Sequence, residues 1–336
     1  MKNKQKFRPN PEARLLDQVR EVLRYHHYAY RTEQTYCEWI VRYVKFHKAR
    51  KHPREMGKTE IEAFLSHLAT HGNVAVSTQR QAMHALLFLY QQVLDMPMND
   101  EISPIKARRN KRPPIVLTQA EVQAVLAQMS GVHSLMASIL YGGGLRLMEC
   151  IRMRTQDIDF HRSKIYVRDG KGGQDRVALL PLSLHAQLRS HLGNVKQLHE
   201  QDLAAGYAEV YLPHALSRKY PSAAREFGWQ YLFPAKKVSD DPRSGVIRRH
   251  HVLESGLQKA VRTAVRRAGI EKHVGCHTLR HSFATHLLEK GVNIRVVQEL
   301  MGHADVKTTE IYTHVMQKNL DEVSSPLDVI MASDFT

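Results

Sequence analysis

The chain has 336 residues, 43% of them hydrophobic, and a formal net charge of +16. This length provides enough apolar side chains for a large core and favours two domains. Excess positive charge could serve solubility alone, but it also favours a polyanionic partner whose phosphates Lys and Arg neutralise. Three widely spaced cysteines argue against a disulfide framework and fit a reducing compartment. No apolar run is long enough to span a bilayer, and no zinc-ligand spacing is present.

Residues 1–103 are predicted to form an all-α domain. Apolar side chains at helical spacing indicate four helices, whose apolar stripes begin near Leu15, Trp39, Phe64 and Met83. Thr32 and Ser77 have side chains that commonly cap helices, and we expect them to begin the second and fourth helix. The aromatic residues in these stripes are predicted to pack in the core, because helical spacing is what packing alone requires.

Residues 104–115 combine prolines with a run of basic side chains. We interpret this stretch as an extended linker, because proline restricts the backbone to extended conformations. Arg108 and Arg109 are candidate contacts to nucleic-acid phosphates. The alternative is an ordinary solvated connector.

A second domain, residues 116–336, begins with a predicted capping box formed by Thr118 and Glu121. The run Gly142-Gly-Gly144 predicts a tight turn that places Arg146 at the start of the next helix, where backbone amides also attract phosphate. Glu149 lies three residues further on. It could pair with Arg146 as a simple surface ion pair or orient it toward a ligand.

Two short apolar segments, 164–168 and 176–180, flank a glycine-rich turn and predict a β-hairpin with Lys171 at its tip. Residues 194–234 then interleave aromatic with basic side chains, a composition that suits unpaired bases and phosphates. Most of these aromatic residues are expected in the core. Residues 252–269 predict a basic amphipathic helix.

The C-terminal part contains the residues with the clearest chemistry. His277 and Arg280 are three apart and project from one helix face, which matches the oxygens of a phosphate. Tyr312 follows the pair Gly302-His303 and is a candidate nucleophile, provided that cations stabilise its phenolate. Asp305 is the predicted N-cap of the helix that carries Tyr312. A zinc site on the histidines at 277, 281 and 286 is disfavoured, because Arg280 would repel the ion.

Six of these residues occur in the order found in tyrosine recombinases of the phage-integrase type, which the chain closely resembles: Arg146, Lys171, His277, Arg280, His303 and Tyr312. Cys150 stands where that family usually has leucine. The block 194–234, with Asp241-Pro-Arg-Ser-Gly and Arg248-Arg-His-His251, resembles integron integrases in particular.

The resemblance implies a mainly α fold with a small β-hairpin or sheet in an α+β catalytic domain. It also implies a two-domain DNA clamp: a SAM-like core-binding domain at 1–103, a linker at 104–115, and a catalytic domain at 116–336. An integron-type insertion would occupy about 194–234. A tail at about 320–336 would dock on a neighbouring protomer.

The resemblance further implies DNA cleavage through a 3′-phosphotyrosine at Tyr312. Arg146, Arg280 and His303 would stabilise the nonbridging oxygens, His277 would assist, and Lys171 would act as general acid, without a cofactor or metal. The substrates would be duplex and folded single-strand sites of gene cassettes, bound by a homo-oligomer, expected to be a tetramer. The residues expected to contact extrahelical bases are Trp229, Pro242, His250 and His251.

Three alternatives remain open on sequence alone: a phage or transposon integrase or chromosome-dimer resolvase, a type IB topoisomerase-like enzyme, and a DNA-binding regulator without catalysis. The block 194–234 argues against the first, and the complete set of six residues argues against the last. We expect a cytoplasmic, nucleoid-associated protein.

Overall fold

The computed structural model describes residues 7–48, 51–96, 102–107, 114–168, 175–207, 209–212 and 214–312. The chain divides into two compact units, Met1–Arg112 and Pro113–Thr336. Three residues predicted to contact DNA or substrate, Arg108, Arg109 and Lys171, lie outside the described residues, as does the predicted C-terminal tail.

The first unit contains the four predicted helices: α1 (Leu15–Tyr25), α2 (Tyr30–Phe46), α3 (Lys58–Thr70) and α4 (Val76–Phe88), the last continued by a π-helical turn at Leu89–Val93. Their apolar faces form one core that includes Val19, Ile40, Leu65 and Leu86. Within it the hydroxyl groups of Tyr43 and Tyr90 lie 2.9 Å apart. A hydrogen bond between these buried groups satisfies both.

The predicted caps of two of these helices are wrong. The helix α2 begins at Tyr30 after the extended residue Ala29, and α4 begins at Val76 after the extended residue Ala75. Thr32 and Ser77 therefore lie inside the first turn of their helices. A capping preference is only a bias, and here each helix begins one or two residues before the polar side chain, which therefore does not cap it.

The second unit is mainly helical. It contains α5 (Gln119–Ala127), α6 (Gly131–Gly142), α7 (Leu147–Arg152), α8 (His185–Ala204), α9 (His214–Lys219), α10 (Glu254–Arg267), α11 (Cys276–Glu289), α12 (Ile294–Met301) and α13 (Lys307–Glu310). The predicted capping box is confirmed: Thr118 Oγ1 accepts from the Glu121 amide at 3.1 Å, and Glu121 accepts from the Thr118 amide at 2.7 Å. The helix α8 passes without interruption through Asn194, the predicted start of the insertion.

A small antiparallel sheet of order β1-β2-β3 lies beside the helices, formed by β1 (Ile158–Asp159), β2 (Lys164–Val167) and β3 (Arg176–Leu179). The pairing of Val167 with Arg176 confirms the predicted hairpin. Its register places Arg176 at the start of β3, five residues after Lys171 in the sequence. The mainly α fold with a small sheet is thus confirmed.

The turn after α6 packs closely against the helix α11. Gly144 has φ +61°, and a Cβ at this position would lie 2.4 Å from the Phe283 ring. Only glycine fits both the left-handed backbone and this close approach. The turn thereby brings Arg146 next to Arg280.

Residues 209–212 and 214–251 form a smaller substructure after α8. It contains short 3-10 turns, a two-stranded ribbon of β4 (Ser239–Asp240) and β5 (Ile247–Arg248), and its own small apolar cluster. Among the helices of the described residues, none has the length and apolarity needed to cross a membrane.

The last described elements are short. Asp305 Oδ1 accepts from the Lys307 amide at 3.0 Å, but α13 ends at Glu310. Tyr312 therefore lies in the turn after α13, and the prediction that this helix carries Tyr312 is wrong.

Candidate active site

Three loops and one helix bring the predicted residues together. Arg146 precedes α7, Arg280 lies on α11, and His303 follows α12. The Arg146 Nη2 donates to the Gly302 carbonyl at 2.9 Å. The guanidinium of Arg280 donates to the carbonyl groups of Gly144 and Met301. Each arginine is thus fixed by the loop that carries another site residue.

A buried carboxylate, Glu149, lies among the arginines, with 7% of its side chain exposed. It accepts from Arg146 Nη1 and Arg176 Nη2, each at 2.6 Å, and lies 3.7 Å from Arg280 Nη1. Burial alone would raise the pKa of Glu149, but Arg176 and then Arg146 hold it below its ordinary value. The group is therefore ionised at neutral pH and balances the charge of the guanidiniums.

Arg280 is buried, with 3% of its side chain exposed. Burial, followed by repulsion from Arg146, lowers its pKa. A guanidinium nevertheless remains protonated near neutrality. Arg carries five N–H donors, and two carbonyl groups and His303 Nε2 take only part of them, so donors remain for a phosphate.

Arg176 is a site residue that the sequence reasoning missed. Its Nη1 donates to the Leu300 carbonyl at 2.7 Å, and its Nη2 bonds Glu149. Only 9% of the side chain is exposed. A signal was present, since an arginine at the first position of a strand directly after the Lys171 turn is placed to link hairpin and site.

His303 lies between Arg280 and Tyr312. Its Nε2 is 3.3 Å from Arg280 Nη2, and its Nδ1 is 2.9 Å from Thr309 Oγ1. Because Arg only donates, Nε2 is the acceptor and Nδ1 carries the hydrogen. Burial, followed by the charge of Arg280, lowers the pKa of His303 to about 4, so the ring is neutral at pH 7. It stacks on Tyr312 with ring centroids 6.3 Å apart.

Tyr312 is 1% exposed and packs with Phe283, Val297 and Met301. Its hydroxyl lies 2.8 Å from Nδ1 of His281. Burial raises the pKa of Tyr312, while Arg280 and Arg146 oppose this shift. The phenol is thus protonated in this structure. The sequence suggests His281 only as a ligand of a disfavoured zinc site, and it does not indicate the contact with the phenol.

His277 is exposed near the start of α11, with its ring centroid 6.4 Å from that of His281. Partial desolvation, then Arg280 and Arg146, lower its pKa. The structure thus gathers five of the six predicted catalytic residues.

A cleft of about 650 Å³ opens beside Arg146 and His303. Basic side chains predominate among its charged residues: Arg146, Lys164, Arg176 and Arg295, against Asp175 and Glu299. Such a surface favours an anionic chain.

The residues predicted to contact extrahelical bases fall into two neighbouring groups. Trp229 is partly buried against the small apolar cluster, and its carbonyl accepts from Arg154 Nη1 at 2.9 Å. The Arg154 guanidinium lies 3.7 Å from the centroid of the Tyr231 ring, and His251 meets that ring edge-on at 5.2 Å. Arg154 and the Tyr231 ring together therefore link the backbone of Trp229 with His251.

The second group surrounds Asp241. His250 Nε2 lies 3.9 Å from Asp241 Oδ2, and Pro242 follows Asp241 on the exposed surface. Burial lowers the pKa of His250, although Asp241 opposes the shift. Pro242 is the most accessible of the four predicted residues, whereas Trp229, His250 and His251 are half-buried.

We predict that Glu149→Gln lowers the free energy of unfolding by about 3–5 kcal/mol at pH 7, because it leaves buried guanidiniums without their counter-charge. Since the folded pKa of Glu149 is depressed, its contribution is present above the unfolded value of about 4.3 and is lost progressively as pH falls from there through the lower folded pKa. Urea unfolding at pH 7 and at successively lower pH, down to about pH 2, tests both points. Lys272→Gln, which removes an ion pair with an exposed lysine, is the control and should cost at most about 1 kcal/mol. Equal effects of the two variants would contradict the central role of Glu149.

Comparison with known proteins agrees with this geometry. Residues 116–319 match the phage integrase family, and residues 15–100 match the N-terminal SAM-like domain of phage integrases. An integrase/recombinase of Escherichia coli is 47% identical over 324 residues, which cover 96% of this chain and 95% of the relative. The tyrosine recombinase XerA of Thermococcus kodakarensis is 31% identical over 272 residues, 80% of each chain.

The fold also resembles that of XerH recombinase in a crystal structure bound to a palindromic difH substrate. The TM-score is 0.57 at 19% identity, and the match covers 96% of this chain and 99% of XerH. The chain therefore belongs to the phage integrase family and is a tyrosine site-specific recombinase.

Proposed function

We propose that Tyr312 attacks a DNA phosphodiester and forms a 3′-phosphotyrosine with release of a 5′ hydroxyl. The observation that carries this assignment is the position of the phenol. Its ring stacks on His303, which is bonded to Arg280, and Arg280 and Arg146 share the Glu149 carboxylate. A phenol needs such cations, because the reaction gathers negative charge on both the phenol oxygen and the phosphoryl oxygens.

In this proposal Arg146 and Arg280 bind the nonbridging oxygens with the donors left free by the surrounding carbonyl groups. His303 would add a donor after turning away from Arg280, and His277 would assist from the exposed end of α11. Lys171 is the proposed general acid for the leaving 5′ oxygen. Arg176, five residues after Lys171, joins this hairpin to Glu149. The position of Lys171 would then depend on Glu149, the carboxylate that Arg146 and Arg280 also share.

The proposed reaction keeps the energy of the phosphodiester in the phosphotyrosine. A 5′ hydroxyl of a partner strand can then reverse the step without a nucleotide triphosphate. Fixed guanidiniums supply the charge stabilisation that metal ions supply in other phosphoryl transfers. Because Tyr312 is 1% exposed, DNA binding must also uncover the phenol.

We further propose that the protein is of the integron integrase type and moves gene cassettes. Support comes from the substructure after α8, where Arg154 and the Tyr231 ring link the backbone of Trp229 with His251, and where Asp241 lies beside His250 and Pro242. Extrahelical bases of a folded single strand would stack on these side chains. A Xer-like resolvase or a phage or transposon integrase is the alternative, favoured by the similarity to XerA. The integron-type assignment and this alternative differ in whether binding to a DNA hairpin depends on its unpaired bases.

The proposed assembly is a homotetramer on paired sites, since recombination joins four strand ends. Arg108 and Arg109 would contact the DNA backbone, and the C-terminal tail would link protomers. The protein would act in the cytoplasm on nucleoid DNA.

We predict that Tyr312→Phe abolishes covalent capture of DNA and leaves DNA affinity nearly unchanged, because it removes one oxygen and little else. The site can be obtained from a random-sequence pool of nicked duplexes by covalent capture with the wild-type protein. Denaturing gels then report the protein–DNA adduct, and gel shifts report binding. Tyr207→Phe is the matched control and should capture DNA normally. A covalent adduct formed by Tyr312→Phe would show that another residue is the nucleophile.

Arg280→Lys should reduce cleavage of the same nicked site by about 10²-fold or more, because an ammonium cannot reproduce the planar donor set of a guanidinium. Lysine retains the positive charge, so the test isolates the loss of the planar donor geometry. Arg295→Lys, at the edge of the cleft, is the control. Near-normal cleavage by Arg280→Lys would mean that Arg280 only supports the structure.

Trp229→Ala should weaken binding to a hairpin with extrahelical bases by about one to two powers of ten, since stacking contributes about 1–3 kcal/mol per base. Duplex affinity should change little, because paired bases hide their faces. Gel shifts compare the hairpin with a copy that lacks the unpaired bases, and Tyr207→Ala serves as the aromatic control. Equal loss on duplex and hairpin would refute the integron-type assignment and leave the recombinase assignment intact.

A further inference from the structure

The phenol of Tyr312 has a hydrogen-bond partner that the proposed set of six residues does not include. Nδ1 of His281 lies 2.8 Å from the Tyr312 hydroxyl, and the two ring centroids are 5.5 Å apart. His281 follows His277 by one helical turn on α11, so both project from the same face. The inner of these two histidines is therefore the one that meets the nucleophile.

We propose that His281 is the base that accepts the phenol proton of Tyr312 during attack on the phosphodiester. This assignment rests on the proposed role of Tyr312 as nucleophile. Under this assignment, His281, the inner of the two histidines, takes up the proton. The exposed His277 is left to contact the phosphate.

The chemistry balances without a further reactant. The bond from Tyr312 Oη to phosphorus forms as the bond from phosphorus to the 5′ oxygen breaks. The phenol proton moves to Nδ1 of His281, and Lys171 donates a second proton to the leaving oxygen. In the reverse step, the imidazolium of His281 returns its proton to the departing phenol.

The surroundings of His281 keep it in the form that accepts a proton. Burial, followed by His277 and Arg280, lowers its pKa to about 4, so the ring is neutral at pH 7. The ionisable groups that face it are His277 and Arg280 on its own helix, and His303 and Tyr312 from the segment packed against it. A phosphate held by Arg280 would offset the positive charge and make His281 a stronger base in the complex.

A second pair on the same helix provides a matched control. His286 Nδ1 lies 2.9 Å from the hydroxyl of Tyr141, and its Nε2 lies 2.9 Å from the Leu117 carbonyl. This is also a buried histidine bonded to a tyrosine, but Tyr141 has no assigned role in the reaction. Loss of His286 should affect folding alone.

The test measures single-turnover cleavage of a nicked duplex whose scissile phosphate carries a 5′-bridging sulfur. A thiolate leaves without a proton, so the titration of Lys171 does not enter the result. The wild-type protein is compared with His281→Asn, which retains an oxygen near the position of Nδ1 but cannot take up a proton. Thermal melting establishes that each variant is folded.

His281→Asn should be slower at pH 7 by about 10²-fold or more. The ratio of wild-type to variant rates should then shrink by about tenfold per pH unit between pH 7 and 9, because the variant reacts only through its phenolate. For His286→Asn the ratio should not change with pH. A ratio for His281→Asn that is constant with pH would overturn the proposal and make His281 structural.

Two further measurements separate the possible failures. If His281→Asn does not fold, the wild-type profile decides: a flat or falling rate from pH 6.5 to 8.5 supports a base, and a rise of about tenfold per unit excludes one. If Tyr312→Phe still forms the adduct, the nucleophile is misassigned and the proposed function fails first. If that variant is inactive and the His281→Asn ratio is constant, only the assignment of the base fails.

Discussion

The site depends on one buried carboxylate placed among three guanidiniums. Glu149 lies within 2.6 Å of Arg146 and Arg176 and within 3.7 Å of Arg280. Without it, three like charges in a poorly solvated space would repel one another by several kcal/mol. With it, the start of α7, the hairpin strand β3 and the helix α11 are held in fixed relation. The positive charge that a phosphate requires is thus built into the fold before DNA arrives.

Tyr312, the proposed nucleophile, is held differently from the cluster of Glu149 and its three arginines. Tyr312 belongs to a small apolar cluster with α11 and α12 and follows the short helix α13. Its hydroxyl contacts His281 and its ring stacks on His303, and both histidines have lowered pKa values and are neutral at pH 7. Neutral partners hold the phenol less strongly than an ion pair would. In the proposed mechanism, this lets the phenol turn toward the phosphate while His281 and the arginines stay in place on DNA binding.

The sequence predicted the elements that carry the site residues better than the contacts between those residues. Spacing placed Arg280 on a helix, and the run of glycines at 142–144 indicated the tight turn before Arg146. Periodicity could not show that Arg176 reaches Glu149, because that contact joins residues far apart in the chain. It also could not show that His281 meets Tyr312, since helical spacing gives the face but not the element packed on it. The predicted caps at Thr32 and Ser77 were wrong because each helix begins one or two residues earlier, a shift that a capping preference alone does not determine.

The central claim is that the cluster of Glu149 and its arginines directs the attack of Tyr312 on phosphorus. Peptide mapping of the covalent adduct tests this claim most directly. Wild-type protein trapped on a nicked duplex is digested with nuclease and trypsin, and the nucleotide-bearing peptide is sequenced by mass spectrometry. Trypsin releases residues 308–318, which contain Tyr312 as their only tyrosine. The account predicts a nucleotide attached through its 3′ phosphate to Tyr312. Attachment to any other residue, or through a 5′ phosphate, would contradict it.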